Sequence, residues 1–429
     1  MSRLVKKEIL VTPKGTRDLF SDELFIRKKI HEKCREIAEY YGFQEIQTPH
    51  FEHSEIFEAS LGAASDIVEK QMYTFRTRGG DQLTLRPEGT VPIVRAYFED
   101  GMLSWPQPVM LYYVGSFFRH ESPQKGRFRE FGQFGLEILG EDLAVAEATI
   151  IRIFSLILKE LGLEAALELN TIGDKECRPA YRKDLIAYYR KHVNYLCKDC
   201  KRRLKENPLR LLDCKEESCV ELKKNAPQMI EYVCDNCKAH FKEVLDFMDA
   251  AEIPYSLNPY LVRGLDYYTR TVFEFVIPPK TPEEKRMEIG GGGRYDYLGD
   301  LLAGKPLAAV GGAFGVDRLS ELLKEKDGFA EGKRPKVFLI QLGEVAKKKS
   351  LCLIEEFRKA KIPLAQSLSK DSLRGQLRLA SKLEVDFSLI LGQKEAMDGT
   401  IIIREMDSGV QEIIPFPKVI DRIKTKAKN

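Results

Sequence analysis

The amino-acid sequence predicts an α+β fold, in which an antiparallel sheet with flanking helices carries a cysteine-rich insertion and precedes a smaller α/β unit. Long strand-like segments follow one another without a repeating strand–helix–strand pattern, which favours antiparallel pairing. Six of the nine cysteines lie between Cys197 and Cys237. A charged Gly/Pro segment at 330–336 predicts a linker. We therefore divide the chain into a main domain at 1–190 and 241–329, an insertion at 191–240 and a last unit at 330–429.

Composition narrows the class of protein. A chain of 429 residues is too long for one ordinary core, and 43% hydrophobic with 31% charged residues indicates a globular protein. The net charge of +3 does not demand a polyanionic partner, so nucleic-acid binding would need local patches. The sequence has no apolar run of signal-peptide or membrane-span length, so we expect a cytoplasmic protein with reduced thiols and no membrane contact.

The elements follow in chain order. Apolar residues at helical spacing predict a helix over 21–41 that Gly42 ends, and the next strand stops at Pro49. A Gly-Gly turn within 78–81 predicts a hairpin, and a second amphipathic helix is predicted at 142–161. Strand character returns at 255–277 and around 307–314, before a helix from Val316.

The predicted hairpin at 108–139 carries a polar face. Phe134 and Leu136 share one parity on the second strand, whereas Gln133 and Glu137 share the other. Because side chains alternate between the faces of a strand, the polar pair lies opposite the core. Two interpretations stay open at this point, a solvated sheet face or a face on which a ligand lies.

Three arginines indicate phosphate binding. Arg119 ends the first strand of this hairpin and Arg127 begins the second, and each guanidinium can hold phosphate through two hydrogen bonds. Arg318 follows a glycine-rich run at a predicted helix start, which also favours anions. The sequence has no Walker-type lysine loop, so a polyphosphate would be bound in another way.

Motifs across nearly the whole chain carry a family resemblance. The segment "FFRHESPQKGRFREFGQFGLE" resembles the second motif of the class II aminoacyl-tRNA synthetases, and "GGAFGVDRL" resembles the third. The segment ending at Pro49 resembles the first, dimer-forming motif. "TLRPEGT" and "RGLDYY" are similar to stretches peculiar to the histidyl-tRNA synthetases, and the last unit resembles their anticodon-binding domain.

The resemblance implies a class II catalytic domain in an enzyme that activates histidine with ATP and Mg²⁺ and transfers it to the 3′ end of tRNA(His). A homodimer is implied by the same resemblance. The catalytic residues would be Arg263 and Arg119, on either side of the reacting α-phosphate. The implied histidine-binding residues are Glu88, Thr90, Gln133, Glu137, Tyr267, Tyr268 and Tyr295, and the implied ATP-binding residues are Arg119, Glu121, Arg127, Phe131 and Arg318.

Some of these residues also have a plainer interpretation. Pro87 and Glu88 suit the first turn of a helix, and that role can coexist with ligand binding. Glu137 and Tyr268 are the residues that the resemblance places against the imidazole nitrogens, where a carboxylate accepts an N–H and a hydroxyl complements the other nitrogen. The glycine-rich stretch around Tyr295 is by itself only a weak loop signal.

The insertion contains two Cys-x-x-Cys pairs. This pattern predicts one structural zinc site formed by Cys197, Cys200, Cys234 and Cys237. Two further cysteines between the pairs leave the ligand set ambiguous, and a cluster of free thiols is the alternative.

Three other functions compete with the ligase. A regulatory subunit of ATP phosphoribosyltransferase resembles the catalytic domain, but it typically lacks the intact "RGLDYY" and the anticodon-binding domain. A class II synthetase for another amino acid is disfavoured, because the pocket residues are those that the resemblance implies for histidine. A zinc-ribbon nucleic-acid module would explain only about forty residues.

Overall fold

The computed structural model describes residues 10–62, 65–124, 126–279, 281, 286–326, 335–369 and 371–426. It divides into two compact units, one within residues 1–330 and one within 331–429. Most of the predicted linker at 330–336 lies outside the described residues. Among the helices that are described, none combines the length and apolar character needed to cross a bilayer.

The first unit is built on an eight-stranded sheet with the order β1-β5-β6-β11-β10-β9-β7-β8. Its neighbours pair antiparallel except at the two edges, where β1–β5 and β7–β8 are parallel. A small sheet of order β2-β4-β3 includes the predicted Gly-Gly hairpin. The strands are β1 (Gln44–Glu45), β2 (Phe51–His53), β3 (Tyr73–Arg76), β4 (Gln82–Leu85), β5 (Val109–Phe118), β6 (Glu130–Leu139), β7 (Ala166–Thr171), β8 (Ser256–Leu257), β9 (Thr269–Ile277), β10 (Met287–Arg294) and β11 (Ala309–Gly315).

Helices cover both faces of the large sheet. On one face, α1, α4, α8 and α10 contribute to a core in which Phe154 packs against Phe314 with ring centroids 4.3 Å apart. On the other face, α2 and α3 pack beside the tyrosines of the loop before β9. The helices are α1 (Ser21–Tyr40), α2 (Ser54–Leu61), α3 (Thr90–Glu99), α4 (Val145–Glu160), α5 (Arg178–Lys191), α6 (Lys198–Glu206), α7 (Glu217–Lys223), α8 (Asp235–Ala250), α9 (Leu298–Ala303) and α10 (Val316–Lys324).

The predicted hairpin at 108–139 is confirmed. Strands β5 and β6 pair along their full length, from Val109 opposite Leu139 to Phe118 opposite Glu130. Phe134 and Leu136 enter the core, as the alternation requires. Glu137 on the other face is fully buried, so the solvated interpretation of that position is wrong.

The insertion packs its own small core from α5, α6, α7 and the first turn of α8. A 3₁₀ segment at Pro208–Asp213 connects α6 with α7. Cys200, Cys214, Cys219 and Cys237 are all buried in this core, and none of the nine cysteines forms a disulfide. Cysteine side chains therefore lie inside this core together with leucine and tyrosine side chains.

The second unit is a three-layer α/β domain. Its five-stranded sheet has the order β13-β12-β14-β15-β16, in which the first three strands are parallel and the last two antiparallel. Leu339 and Phe338 alternate between two cores, one on each face of the sheet. The elements are β12 (Val337–Gln341), β13 (Leu364–Gln366), β14 (Phe387–Leu391), β15 (Thr400–Glu405), β16 (Gln411–Pro415), α11 (Glu344–Lys359), α12 (Leu373–Lys382), α13 (Gln393–Asp398) and α14 (Val419–Lys426).

A buried ion pair joins helix α4 to the end of β10. The guanidinium of Arg294 donates to both oxygens of Glu147, at 2.8 and 2.6 Å, and both side chains are fully buried. His240 on α8 lies 2.7 Å from the same carboxylate. Burial raises the pKa of Glu147, but hydrogen bonds from Arg294 and His240 outweigh this effect and hold it below its usual value. The carboxylate therefore stays ionised inside the core.

Breaking this pair should be costly. In Glu147→Ala the buried guanidinium of Arg294 loses its counter-charge, so we expect the free energy of unfolding to fall by about 3–5 kcal/mol. Denaturant unfolding with an intrinsic fluorescence probe measures this loss. The control is Glu36→Ala, whose exposed side chain makes only a surface pair with Lys33 and should cost less than about 1 kcal/mol. A loss below about 1 kcal/mol in Glu147→Ala would contradict the account.

Candidate active site

Glycines form the floor of the site. They occupy neighbouring positions on β10 and β11, and the side chains of Glu137 and Arg263 lie directly on their backbone. A Cβ added at Gly311 would sit 1.5 Å from Oε2 of Glu137, and one at Gly291 would sit 2.8 Å from Nη1 of Arg263. The glycine-rich stretch at 288–294 is thus a strand rather than the loop that its composition suggested. Its lack of side chains lets these groups approach the sheet.

Glu137 lies at the centre of this floor. Its two carboxylate oxygens accept hydrogen bonds from Thr90 Oγ1 at 2.6 Å and from the Tyr295 hydroxyl at 2.5 Å. Burial without a counter-charge raises its pKa from 4.5 to about 8, and the two hydrogen bonds only partly oppose this effect. A carboxyl group with such a pKa in a buried site is typical of functional residues.

Glu88 lies two residues before the start of helix α3, at the helix start that the sequence predicted. It caps helix α3 by accepting from the backbone N–H groups of Thr90 and Val91, each at 2.8 Å. It also accepts from the Tyr267 hydroxyl at 3.1 Å. Burial raises the pKa of Glu88 despite these bonds. The helix start therefore holds a desolvated carboxyl group beside the tyrosines.

Three tyrosines enclose the space above the floor. The ring centroids of Tyr267 and Tyr268 lie 4.7 Å apart, and those of Tyr267 and Tyr295 lie 5.7 Å apart. All three rings are buried. The structure thus brings together five of the predicted histidine-binding residues (Glu88, Thr90, Glu137, Tyr267 and Tyr295) through hydrogen bonds, and a sixth (Tyr268) through ring contact.

Two polar groups near the floor lack partners. Arg263 pairs with Glu274 on β9, with 2.5 Å between Nη1 and Oε1, but its buried Nε has no hydrogen-bond partner among the described residues. Among the residues that the structure describes, the buried Oε1 of Gln133 also has no hydrogen-bond partner. Buried polar atoms without partners are rare in native proteins. Such atoms are expected where a polar ligand completes the site.

Arginines surround the outer part of the site. Arg119 donates from Nε to the carbonyl of Pro87 at 2.8 Å, and its guanidinium lies 5.4 Å from the Phe131 ring centroid. Arg127 lies between two carboxylates, 3.8 Å from Glu121 and 4.0 Å from Glu288.

The predicted third arginine, Arg318, lies in the first turn of α10 and donates to the backbone carbonyl of Glu288. Arg318 and Arg127 are close enough to repel each other, and burial together with this repulsion lowers the pKa of Arg318. Anionic oxygens would relieve that repulsion.

Sequence reasoning missed two residues of the site. Tyr113 on β5 is paired with Gly135, and its ring fills the space over Gly135 and Gly89. The space beside Gln133 and Glu137 is therefore occupied by the protein at this point. The parity of β5, on which Tyr113 faces the same side as Glu137, could have indicated it. Glu274 gave no signal of its own within a strand of apolar residues.

Comparison with known proteins identifies the family. Residues 15–319 match the family described as histidyl-tRNA synthetase, and residues 336–426 match the family described as anticodon binding domain. The chain belongs to the histidyl-tRNA synthetases. It is a class II aminoacyl-tRNA synthetase by family, with the α+β catalytic domain and the C-terminal α/β anticodon-binding domain that the sequence predicted.

Relatives of this synthetase family match along their whole length. The chain is 44% identical to the histidine–tRNA ligase of Dehalococcoides mccartyi over 96% of this chain and 99% of that relative. It is 40% identical to that of Desulforudis audaxviator over 98% and 100%. The solved structure of apo histidyl-tRNA synthetase from S. aureus is similar with a TM-score of 0.77 and 29% identity, covering 97% of this chain and 100% of that one.

The four predicted zinc ligands of this synthetase are not brought together. Cys197 and Cys200 cluster with Cys214 and Cys219, whereas Cys234 and Cys237 cluster with Asp174 and Cys177. The single ligand set predicted from the sequence is therefore corrected to two groups. The physical reason is that α6, the 3₁₀ segment and α7 fold back and bring Cys214 and Cys219 to the first Cys-x-x-Cys pair. The second pair lies at the start of α8, where it contacts the segment between β7 and α5.

The raised pKa of Glu137 predicts a pH-dependent stability. Between pH 4.5 and about 8 the folded chain binds one more proton than the unfolded chain, so stability falls as the pH rises across this window. We expect wild type, relative to Glu137→Gln, to lose up to about 1.4 kcal/mol of unfolding free energy per pH unit. Denaturant unfolding of the ligand-free proteins at several pH values measures the difference. A difference that is independent of pH would show that Glu137 titrates normally.

Proposed function

We propose that this protein is a histidine–tRNA ligase. It activates histidine with ATP to histidyl-adenylate and then transfers the histidyl group to the 3′ end of tRNA(His). The observation that carries the proposal is the buried Glu137, fixed on a glycine floor by Thr90 and Tyr295 within a chain of this family. A buried carboxyl group with no counter-charge suits a ligand that supplies hydrogen-bond donors, as an imidazole does.

Histidine selection would rest on buried polar groups whose hydrogen bonding the ligand completes. Glu137 and Tyr268 are proposed to contact the two ring nitrogens, and Glu88 the ammonium, with Thr90 and Gln133 completing that end. Gln133 supports this role because its buried oxygen lacks a partner among the described residues. Amino acids that cannot pair such groups would leave them desolvated and unpaired, so the site would reject them.

Activation would rest on two arginines. A carboxylate oxygen of histidine attacks the α-phosphorus, the new P–O bond forms, and the bond to the leaving pyrophosphate breaks. We propose that Arg263 and Arg119 stabilise the charge that develops on the α-phosphate oxygens. Nε of Arg263 supports this role, because it has no hydrogen-bond partner among the described residues and so remains available after the guanidinium pairs with Glu274.

The outer phosphates and the base of ATP would be held at the rim of the site. Arg127, Arg318 and Glu121 are proposed to contact the triphosphate end, and Phe131 with Arg318 to enclose adenine. Glu121 and Glu288 both lie near Arg127 and offer the carboxylate oxygens that Mg²⁺ prefers, so these residues fit the ion. Mg²⁺ bound with ATP would neutralise part of the phosphate charge.

Further parts of the proposal concern the whole molecule. The unit at 330–429 would bind the anticodon region of tRNA(His), and 1–190 with 241–329 would form the catalytic domain around the insertion at 191–240. A homodimer in the cytoplasm is proposed. Relatives at 40–44% identity that carry the ligase name over 96% or more of this chain favour this function over a regulatory subunit of ATP phosphoribosyltransferase.

One assay tests the function. Purified protein is given ATP, radiolabelled pyrophosphate and one of the twenty amino acids at a time. Exchange of label into ATP should depend on histidine alone, and charging of bulk tRNA with labelled histidine should follow. Histidine binding without exchange would indicate the regulatory-subunit function. Exchange that depends on another amino acid would show that the pocket does not select histidine.

Replacement of Arg263 tests the chemistry. Arg263→Ala should reduce the rate of pyrophosphate exchange by about 10²-fold or more, because a preorganised cation at the developing charge is lost. Equilibrium binding of histidine should change far less. The matched control is Arg286→Ala, since Arg286 pairs with the same Glu274 at 3.0 Å but is 41% exposed. Exchange near the wild-type rate in Arg263→Ala would remove this residue from the mechanism.

A further inference from the structure

Two separate clusters of possible metal ligands lie in and beside the insertion. Cys197, Cys200, Cys214 and Cys219 form the four-cysteine cluster, and Asp174, Cys177, Cys234 and Cys237 form the aspartate–cysteine cluster. In each cluster the four ligand atoms all lie within 4.8 Å of one another. Neither cluster takes part in the proposed chemistry of histidine activation.

The four-cysteine cluster has the dimensions of a tetrahedral metal site. Zinc–sulfur bonds of about 2.3 Å place the sulfurs of such a site about 3.8 Å apart. Sγ of Cys197 and Sγ of Cys214 are 3.9 Å apart, which matches this separation and is far from the roughly 2.05 Å of a disulfide. Three of the four cysteines are buried. The sulfurs therefore surround a common centre without bonding to one another.

Backbone donors point at the sulfurs of this cluster. The N–H of Cys200 donates to Sγ of Cys197 at 3.4 Å, and the N–H of Cys197 donates to Sγ of Cys219 at 3.4 Å. Cys197 is also the residue that caps helix α6, where the helix dipole favours negative charge. These features stabilise thiolates, which are the form of cysteine that binds metal.

The aspartate–cysteine cluster is arranged in the same way. The carboxylate of Asp174 accepts at Oδ1 from the N–H groups of Glu176 and Cys177, at 2.9 and 3.2 Å. Its Oδ2 is turned to Sγ of Cys237 at 3.0 Å. The N–H of Cys234 donates to Sγ of Cys177 at 3.0 Å, and both of these cysteines begin helices. One carboxylate oxygen is thus fixed by the backbone while the other faces the sulfurs.

We propose that the chain holds two structural zinc ions, one in each cluster. Thiolate-rich, four-ligand sites suit Zn²⁺ among the common divalent ions, and four protein ligands leave no position open for a substrate. The first site closes the insertion on itself. The second joins the insertion to the catalytic domain, because Asp174 follows β7 directly while Cys234 and Cys237 begin α8.

The second site is also next to a contact with the proposed histidine pocket, because Asp174 follows Gly173 in the chain. The carbonyl of Gly173 accepts from the N–H of Arg270 at 2.8 Å and from Thr269 Oγ1 at 3.1 Å, at the start of β9. Arg178, next to Cys177, donates to the carbonyl of Tyr268. A metal at Asp174 would therefore fix the segment on which the loop of Tyr267 and Tyr268 rests.

Metal content tests the proposal in the full-length protein. Elemental analysis and native mass spectrometry should give two zinc ions per chain for wild type. Cys214→Ser and Cys234→Ser should each reduce the content to about one, by destroying one cluster. Cys34→Ser and Cys352→Ser are matched controls outside both clusters and should keep two.

The alternatives give different counts. A single site of Cys197, Cys200, Cys234 and Cys237 would show one zinc per chain that survives Cys214→Ser, and this result would overturn the proposal. Iron in place of zinc, or no metal, would overturn it as well.

Asp174→Cys is a variant that should still fold, because it offers the second metal four thiolates in place of three thiolates and a carboxylate. It should keep two metals, and after exchange to Co²⁺ its sulfur-to-cobalt absorption should exceed that of wild type, whose clusters hold four and three cysteines. Unchanged absorption would show that Asp174 is not a ligand.

Discussion

The close approach of side chains to two neighbouring strands is the constraint on which the first unit depends. Glu137 lies so near β11 that any side chain at Gly311 would overlap its carboxylate. On the opposite face, a Cβ at Gly312 would come within 3.0 Å of the rings of Phe154 and Phe273. These strands must therefore leave room on both faces, for aromatic rings on the core side and for polar side chains on the side of the site. Glycine is the residue that permits both.

Buried charge is handled in two different ways within this unit. Arg294 and Glu147 neutralise each other inside the core, with His240 as a further partner, and this arrangement serves the fold. Glu137 has hydroxyl partners but no cationic partner in the described part of the chain, and its raised pKa reflects the cost of burying the charged form. Polar groups that the protein leaves incompletely paired are those that a ligand can complete. This difference separates the structural carboxylate from the one proposed to bind histidine.

The insertion contacts the loop that carries "RGLDYY". Asn207 donates to Asp266 of this loop at 2.7 Å. Arg203 and Arg210 hold a different segment, because both pair with Asp66 after α2, at 3.1 and 3.0 Å. Burial raises the pKa of Asp266. Each of the two proposed metal sites has ligands on both sides of Arg203, Asn207 and Arg210 along the chain. An insertion stabilised by metal would thus support this loop. The positions of the pocket tyrosines would then depend partly on metal ligands that lie outside the pocket.

Local patterns and motifs were sufficient to predict the main elements and the family. Alternation on β6, helical spacing in α1 and the Gly-Gly hairpin are local patterns, so they fix local structure wherever the chain goes. The motifs around Arg119, Arg263 and Arg318 were sufficient to identify the family before any coordinates. They also named the candidate residues of the site, because a motif lists residue types in order.

Which of these residues meet depends on how the elements pack against one another. The two Cys-x-x-Cys pairs look like one site along the chain, yet Cys214 and Cys219 complete the first and Asp174 and Cys177 complete the second. The ring of Tyr113 lies over Gly89 and Gly135 beside Glu137, and Glu274 is the partner of Arg263. Spacing along a chain records neither how helices fold back nor which strands become neighbours. Ligand sets and charge pairs made across such contacts are therefore set by the packing.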